Sequence, residues 1–384
     1  MSGKDRPQRV KGYDPFLFIS TLLLLGIGII MVYSASSTIA MKRFDNHTFF
    51  FGKQVIHALI AIAAMAGIRY APYSLYRHFA YPLLAVAFVL LALLYLPEIG
   101  RTVGGARRWM SLLGISFQPS ELARLALVIY LAESMSKKEE RMKTFSIGIL
   151  PHSILFAIFA TLILFQPDFG MVVMIALIGW IMLFVGGARI TYLGGALVVF
   201  LPVAYYVLSQ AGYRMQRLAS FIDPWKHQND AGYQIVHSLM AFGSGGIFGS
   251  GLGNGYQKLF YLPEPHTDFI FSVIGEELGL VGISVVISLY CILIWRGTMI
   301  AVTAKDLFAT FLATGLTAML GLQASINVAV AMGLLPTKGL TLPFVSYGGT
   351  SMVINAVAVG ILMNISAQHM SVRRRKAPKQ VGSG

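Results

Sequence analysis

Charge and cysteine are both scarce in this sequence. Asp, Glu, Lys and Arg make up 12% of the 384 residues, about half of the ~25% usual in a soluble domain, which excludes an ordinary water-soluble globule. The lone cysteine, Cys291, excludes an internal disulfide and any multi-cysteine metal site, and reads as a core filler. Acids are scarcer than bases, 16 against 30, for a formal charge of +14. In a membrane protein the distribution of Lys and Arg between the two faces matters more than that total, so no nucleic-acid partner is expected. The first apolar run lacks a small-residue cleavage pattern after Ala35-Ser36 and is expected to stay as an anchor. A nucleotide motif is absent too: GSGLGNG (249–255) has neither the preceding strand of a dinucleotide fold nor the Lys-Ser/Thr of a P-loop.

Apolar sequence is what the chain has in abundance. Hydrophobic residues are 56% of the total and the mean hydropathy is +0.69. Ten apolar runs, at 15–36, 52–69, 79–96, 120–135, 146–164, 169–186, 190–209, 267–295, 306–332 and 345–367, each suit the ~17–25 residues that a tilted crossing needs. The expected fold is all-α, a polytopic membrane protein with ten transmembrane helices and both termini on one side. That side collects most of the Lys and Arg, from Lys4, Arg6, Arg9 and Lys11 to Arg373, Arg374 and Arg375, and is therefore read as cytoplasmic. The organisation is then a cytoplasmic tail over 1–14, one membrane domain over 15–370 with a large outer loop at 210–266, and a basic cytoplasmic tail over 371–384.

The stretch YLPEPHTDFIFSVIGEELGL (261–280) organises the rest. Pro263 and Pro265 break the backbone just before an apolar run, which places His266, Thr267 and Asp268 at the mouth of a membrane helix. Glu276 and Glu277 follow about 12–13 Å further along that helix. Intramembrane carboxylates are costly and are functional candidates by default. Glu276 and Glu277 lie about 80° and 180° round from Asp268, so both cannot face its cavity; one is expected to pair with a cation such as Arg124.

Other outer connections carry further candidates. In GARRW (105–109) two guanidiniums and an indole stand where topology disfavours Arg; they read either as interfacial anchors or as a grip on an anionic headgroup. Gly104 and Gly105 permit a tight, non-helical approach there. QPSE (118–121) reads as a helix start, with Glu121 and Arg124 one turn apart, either an intramembrane ion pair or, for Glu121, a cavity shared with Asp268. In QPDFG (166–170) Asp168 is expected to cap the next helix. Within the large loop, 213–225 suggests an interfacial helix and the glycine tract 243–255 a tightly turned wall. LPTKGLTLPFVSYGGTS (335–351) is too rich in Pro and Gly for a helix yet apolar enough to dip into the membrane, with Lys338 at the mouth of any cavity it lines.

GARRW with QPSE, QPDFG, GSGG followed by GLG, LPEPHTDFIFSVIGEELG and LPTKGLTLPFVSYGGTS, taken in order along the whole chain, resemble the SEDS family, the bacterial shape, elongation, division and sporulation proteins. TKGLTLP is similar to the division and sporulation members; elongation members usually carry another pair in place of Thr337-Lys338. The resemblance implies a ten-helix peptidoglycan glycosyltransferase that polymerises lipid II at the outer face of the cytoplasmic membrane during septal wall synthesis. It also implies a class B penicillin-binding protein and other division-site membrane proteins as partners, and makes the acid of HTDFIF, here Asp268, essential. The family usually has Lys where this chain has Arg124.

On that reading Asp268 is the general base and Glu121 a second catalytic carboxylate that orients the cavity. Arg107, Arg108, Trp109, Arg124, His266, Lys338 and Ser346 are the substrate-binding candidates, with the cations offsetting charge on a leaving pyrophosphate. No metal ligand is assigned; a divalent cation, Mg or Mn, beside Asp268 is compatible with the sequence, but no ligand cluster supports one. Two other classes stay open at this point: a flippase for lipid II or another lipid-linked sugar, and a scaffold that only recruits a partner.

Overall fold

In the computed structural model, residues 13–96, 98–103, 106–112, 115–210, 212–259 and 262–376 are described. Most of the N-terminal tail, Gly104 and Gly105, and residues 377–384 lie outside the described residues.

Seven helices come first: α1 (Pro15–Phe44), α2 (Phe49–Ile68), α3 (Ser74–Leu93), α4 (Pro119–Lys137), α5 (Leu150–Phe165), α6 (Phe169–Val185) and α7 (Ile190–Ser209). Two shorter helices, α8 (Gly212–Ile222) and α9 (Tyr233–Gly245), occupy the long connection to α10 (Ile270–Val302), α11 (Leu307–Ala331) and α12 (Gly349–Lys376). Their starts follow local chemistry. Asp14 and Asp306 accept the Leu17 and Ala309 amides at 3.1 and 2.9 Å, Pro15 and Pro119 stand where an amide proton has no partner, and Asp168 caps α6 through the Met171 amide at 3.1 Å.

Among the described residues eight helices are long and apolar enough to cross a membrane. The other two expected spans are also helical: α6 is apolar but has 17 residues, and α4 carries Glu121, Arg124, Glu133 and Lys137. Charge on α4 is tolerated because its inner face is enclosed by α3, α6, α11 and α12; Glu121, Arg124 and Glu133 are all buried. The all-α expectation needs one correction. Between α3 and α4 the chain forms a three-stranded antiparallel sheet, β1 (Gly100–Val103), β2 (Ala106–Leu112) and β3 (Ile115–Phe117). Arg107, Arg108 and Trp109 all lie on β2, and Arg101 pairs with Trp109 across the ladder.

Helix α10 is broken at Gly279, whose φ of 63° is left-handed. The glycine tract fills the break. Ser250 N and Gly251 N donate to Glu276 O and Glu277 O, while Leu280 N and Val281 N donate to Gly246 O and Ile247 O, all within 2.9–3.2 Å. Backbone groups freed by the break are thereby paired, as burial requires. A Cβ on Gly249 would sit 2.2 Å from Glu277 O, so the approach needs glycine.

The two glutamates below Asp268 belong to this junction. Glu276 accepts from the Tyr256 amide at 2.7 Å, and Glu277 from Ser34 Oγ at 2.7 Å and Lys258 Nζ at 2.5 Å. The cation expected from Arg124 is supplied instead by Lys258, brought in by the loop.

Candidate functional site

Asp268 sits in a loop pinned at successive residues. His266 O accepts from Tyr347 N at 2.9 Å, Thr267 O from Ser346 Oγ at 2.5 Å and Asp268 O from Asn327 Nδ2 at 2.9 Å. The facing loop, 336–348, is held from below: Gln323 Nε2 donates to Thr341 O at 2.9 Å, and Asn327 Nδ2 also reaches Leu340 O at 2.5 Å. Glu264 and Phe344 lie in the left-handed region, with φ of 51° and 66°, a strained conformation for non-glycine residues that surrounding structure must hold. A Cβ on Gly339 would stand 3.2 Å from Asp268 Oδ2, so the lack of a side chain there leaves the carboxylate room.

Four charged groups from four segments converge here. The Asp268 side chain is only half-buried, yet desolvation, reinforced by Glu264, pushes its carboxyl up to about 7, while the guanidiniums of Arg108 and Arg217 pull it back. Arg108 Nε stands 3.4 Å from Asp168 Oδ2, and its Nη2 donates to Pro167 O at 2.8 Å. Lys338 lies over the same turn: a Cβ on Gly170 would meet its Cε at 2.3 Å. Burial brings the Lys338 ammonium down to about 8, against the stabilising charge of Asp168. Arg108 on β2, Asp168 before α6, Asp268 before α10 and Lys338 before α12 thus form an alternating cluster. It holds an acid that ionises near neutrality beside cations able to take up an anion.

The comparisons with known proteins place the chain in a family. The FtsW/RodA/SpoVE model, described as a cell cycle protein, matches residues 15–371. The chain belongs to that family. A probable peptidoglycan glycosyltransferase FtsW of Geobacter sp. (strain M18) is 44% identical over 361 residues, covering 94% of this chain and 98% of the relative. Stage V sporulation protein E of Bacillus subtilis is 41% identical over 354 residues, covering 92% and 96%. Among solved structures, a chain of a peptidoglycan synthase complex studied for the coordination of polymerisation and crosslinking superposes with a TM-score of 0.77 at 26% identity, covering 94% of this chain and 99% of that one. The rod shape determining protein RodA of Thermus thermophilus gives 0.69 at 25% identity, with 96% and 99% covered.

Within this FtsW/RodA/SpoVE chain the sequence candidates divide into two layers. Arg108 and Lys338 stand in the charged cluster with Asp268. His266 is buried two residues before it, its ring 4.6 Å from Phe50 and 5.7 Å from Tyr347, and burial lowers its imidazole to about 4, so it is neutral at pH 7. Glu121 and Arg124 lie beneath as a buried pair, 2.6 Å apart, with Arg124 also donating to Asn355 at 3.2 Å. Of the two readings of Glu121, the structure shows the ion pair, and a chain of hydrogen bonds runs from Arg124 through Asn355 and Gln323 to the Thr341 loop. Arg107 closes the hairpin by donating to Gly100 O at 3.1 Å and Tyr95 O at 3.3 Å. Ser346 Oγ is buried, accepting from Leu342 N at 2.8 Å while donating to Thr267 O, which makes it a staple between loops.

Sequence reasoning gave Asp168 a capping role, beside its being an acid close to the membrane on the Asp268 side, and left Arg217, Gln323 and Asn327 without a role in the site. The available signal for the last two was a pair of amides four residues apart in an apolar span, hence on one helix face. Among the described residues no group of three or more His, Cys, Asp or Glu is placed to hold a metal ion.

Proposed function

We infer that this chain is a peptidoglycan glycosyltransferase that joins lipid II into glycan strands at the outer face of the bacterial cytoplasmic membrane, in septal wall synthesis. The supporting observation is the half-buried Asp268, ionising at about 7 beside Arg108, with Lys338 across the same turn. In the reaction the GlcNAc 4-hydroxyl of the acceptor attacks the anomeric carbon of the donor. The new glycosidic bond forms as the bond to undecaprenyl pyrophosphate breaks. Asp268 takes the hydroxyl proton, a contribution typically of 10²–10⁴-fold. Arg108 and Lys338 offset the charge growing on the pyrophosphate oxygens, so that no strong general acid is required. Trp109 flanks the headgroup, and His266 forms a neutral wall. Glu121 and Arg124 act through the buried polar layer rather than on substrate.

The proposed topology has ten crossings, α1 to α7 and α10 to α12. Both termini are cytoplasmic, 15–370 form one membrane domain, and 210–266 lie outside with α8 along the interface. A class B penicillin-binding protein and other division-site proteins are the proposed partners. The break in α10 favours a second reading, a lipid II flippase, because transporters place discontinuous helices at their substrate sites. Here the break is sealed by the glycine tract, which supports polymerisation instead.

The test uses the protein purified with its transpeptidase partner and given lipid II. Asp268→Ala abolishes glycan strands while retaining lipid II binding and the wild-type melting temperature. Normal strands from that variant would remove Asp268 from the mechanism.

A further inference from the structure

Asp268 and Lys338 come from loops 70 residues apart in sequence, and one side chain ties the two together. Asn327, on the last full turn of α11 and 1% exposed, donates through Nδ2 to Asp268 O at 2.9 Å and to Leu340 O at 2.5 Å. Leu340 N in turn donates to Lys338 O at 2.9 Å. A primary amide nitrogen carries two protons, and here each carbonyl takes one. Gln323, one turn below, fixes Thr341 in the same way, so α11 presents a short ladder of amides to the loop.

We propose that Asn327 is the positioning residue of this site: its one nitrogen sets the separation of the acid-bearing loop from the cation-bearing loop. The inference rests on the reading of Asp268 as general base. Asn327 is never in contact with substrate; it acts through the backbone of the residues on either side. Its role needs both protons on one atom. Asp has the same shape and at most one donor, Leu has similar bulk and no donor, and Gln keeps both protons on a chain one methylene longer.

Loss of the tie lets the two loops part. A displacement of about 1 Å at a reacting group costs roughly 100-fold in rate. It also alters what Asp268 feels. The groups that act on its carboxyl are Glu264 and Thr267 on its own loop, Arg108 on β2 and Arg217 on α8. Once untied, the Asp268 loop moves away from β2 and α8 as well; that weakens the pull of the two guanidiniums, and the acid limb of the rate profile moves to higher pH.

The experiment measures lipid II polymerisation against pH for Asn327→Asp, Asn327→Leu, Asn327→Gln and Asp268→Ala, each purified with its partner. Asn327→Asp and Asn327→Leu are expected to lose roughly 100-fold in kcat with KM within about threefold of wild type, and to shift the acid limb upward. Asn327→Gln is expected to recover at least a tenth of the wild-type kcat. A merely structural residue would lower the active fraction equally at every pH and leave the limb in place; that result, or a kcat unchanged in Asn327→Asp, overturns the proposal. Should Asn327→Leu not fold, the Asp and Gln variants carry the comparison, since they differ in donors. Asp268→Ala separates the two layers: activity there overturns the general-base reading, whereas an inactive Asp268→Ala beside an unaffected Asn327→Asp overturns only the positioning role.

Discussion

A carboxylate that must take a proton from a sugar hydroxyl works best when its own affinity for that proton is near the ambient pH. Asp268 reaches that condition by partial burial, and the opposed pulls of Glu264 and of Arg108 with Arg217 keep it there. Lys338 is tuned from the other side, down to about 8. The proposed mechanism needs Asp268 ionised and Lys338 protonated. Activity is therefore expected to fall below pH about 7 as Asp268 gains its proton and above pH about 8 as Lys338 loses one, giving a narrow bell in kcat/KM. Lys338→Arg should keep the acid limb and abolish the alkaline one, because guanidinium does not titrate there. A second expectation concerns Gly170, where a Cβ would strike Lys338 Cε at 2.3 Å. Gly170→Ala should lower kcat at least tenfold with a small change in melting temperature, since the lysine side chain can swing aside. Asp268 and Lys338 could be proposed from the sequence because the acid stood at a helix mouth and the cation in a Pro- and Gly-rich stretch apolar enough to line a cavity. Arg217 could not, because nothing local says that α8 turns it towards a site 51 residues on.

At the scale of elements, the junction of α10 with the glycine tract carries a load that composition alone hides. Glu277 is fully buried and pairs with Lys258, whose side chain is 5% exposed. Removing one partner of a buried pair typically costs about 3–5 kcal/mol, because the other charge is left uncompensated. Glu277→Gln should destabilise the protein by about that much and open the tract, seen as faster hydrogen exchange at Ser250, Gly251 and Gly253. Glu277→Gln combined with Lys258→Met should recover part of the loss, and an additive double variant would show that the pair is not coupled. Gly279→Ala should break the junction outright, since its φ is left-handed and a Cβ would meet Gly249 N at 2.4 Å. Helix starts at Pro119 and Asp168 were readable from capping chemistry, whereas the cap at Asp14 was not read. The strands at 100–117 were not: their register depends on cross-strand pairing, and the glycines and arginines there carry only a weak alternation. The break at Gly279 was missed for a related reason. One glycine in a long apolar run is common, and only the distant glycine tract makes it a joint.

For the molecule as a whole, the apolar runs were legible because crossing a membrane demands length and hydropathy together, a demand written directly in sequence. Where the special residues gather was legible only in outline. The cluster needs β2, the turn before α6, and the loops before α10 and α12, and only packing brings these together. Cys291, expected as a core filler, is exposed on α10, so the topology is tested in a Cys291→Ala background: single cysteines placed within 223–231 should react with an impermeant maleimide from outside intact cells, and those within 138–143 should not. The central claim is that an outward-facing Asp268 polymerises lipid II where it lies, without carrying it across. It is tested most directly in sealed vesicles containing the oriented complex, with lipid II supplied only to the leaflet exposed to the 210–266 loop and glycan strands measured beside lipid II crossing. The expected result is strand synthesis from that leaflet by the wild type, none by Asp268→Asn, and no crossing by either. Strands from Asp268→Asn, or lipid II moved across the bilayer without being joined, would contradict it.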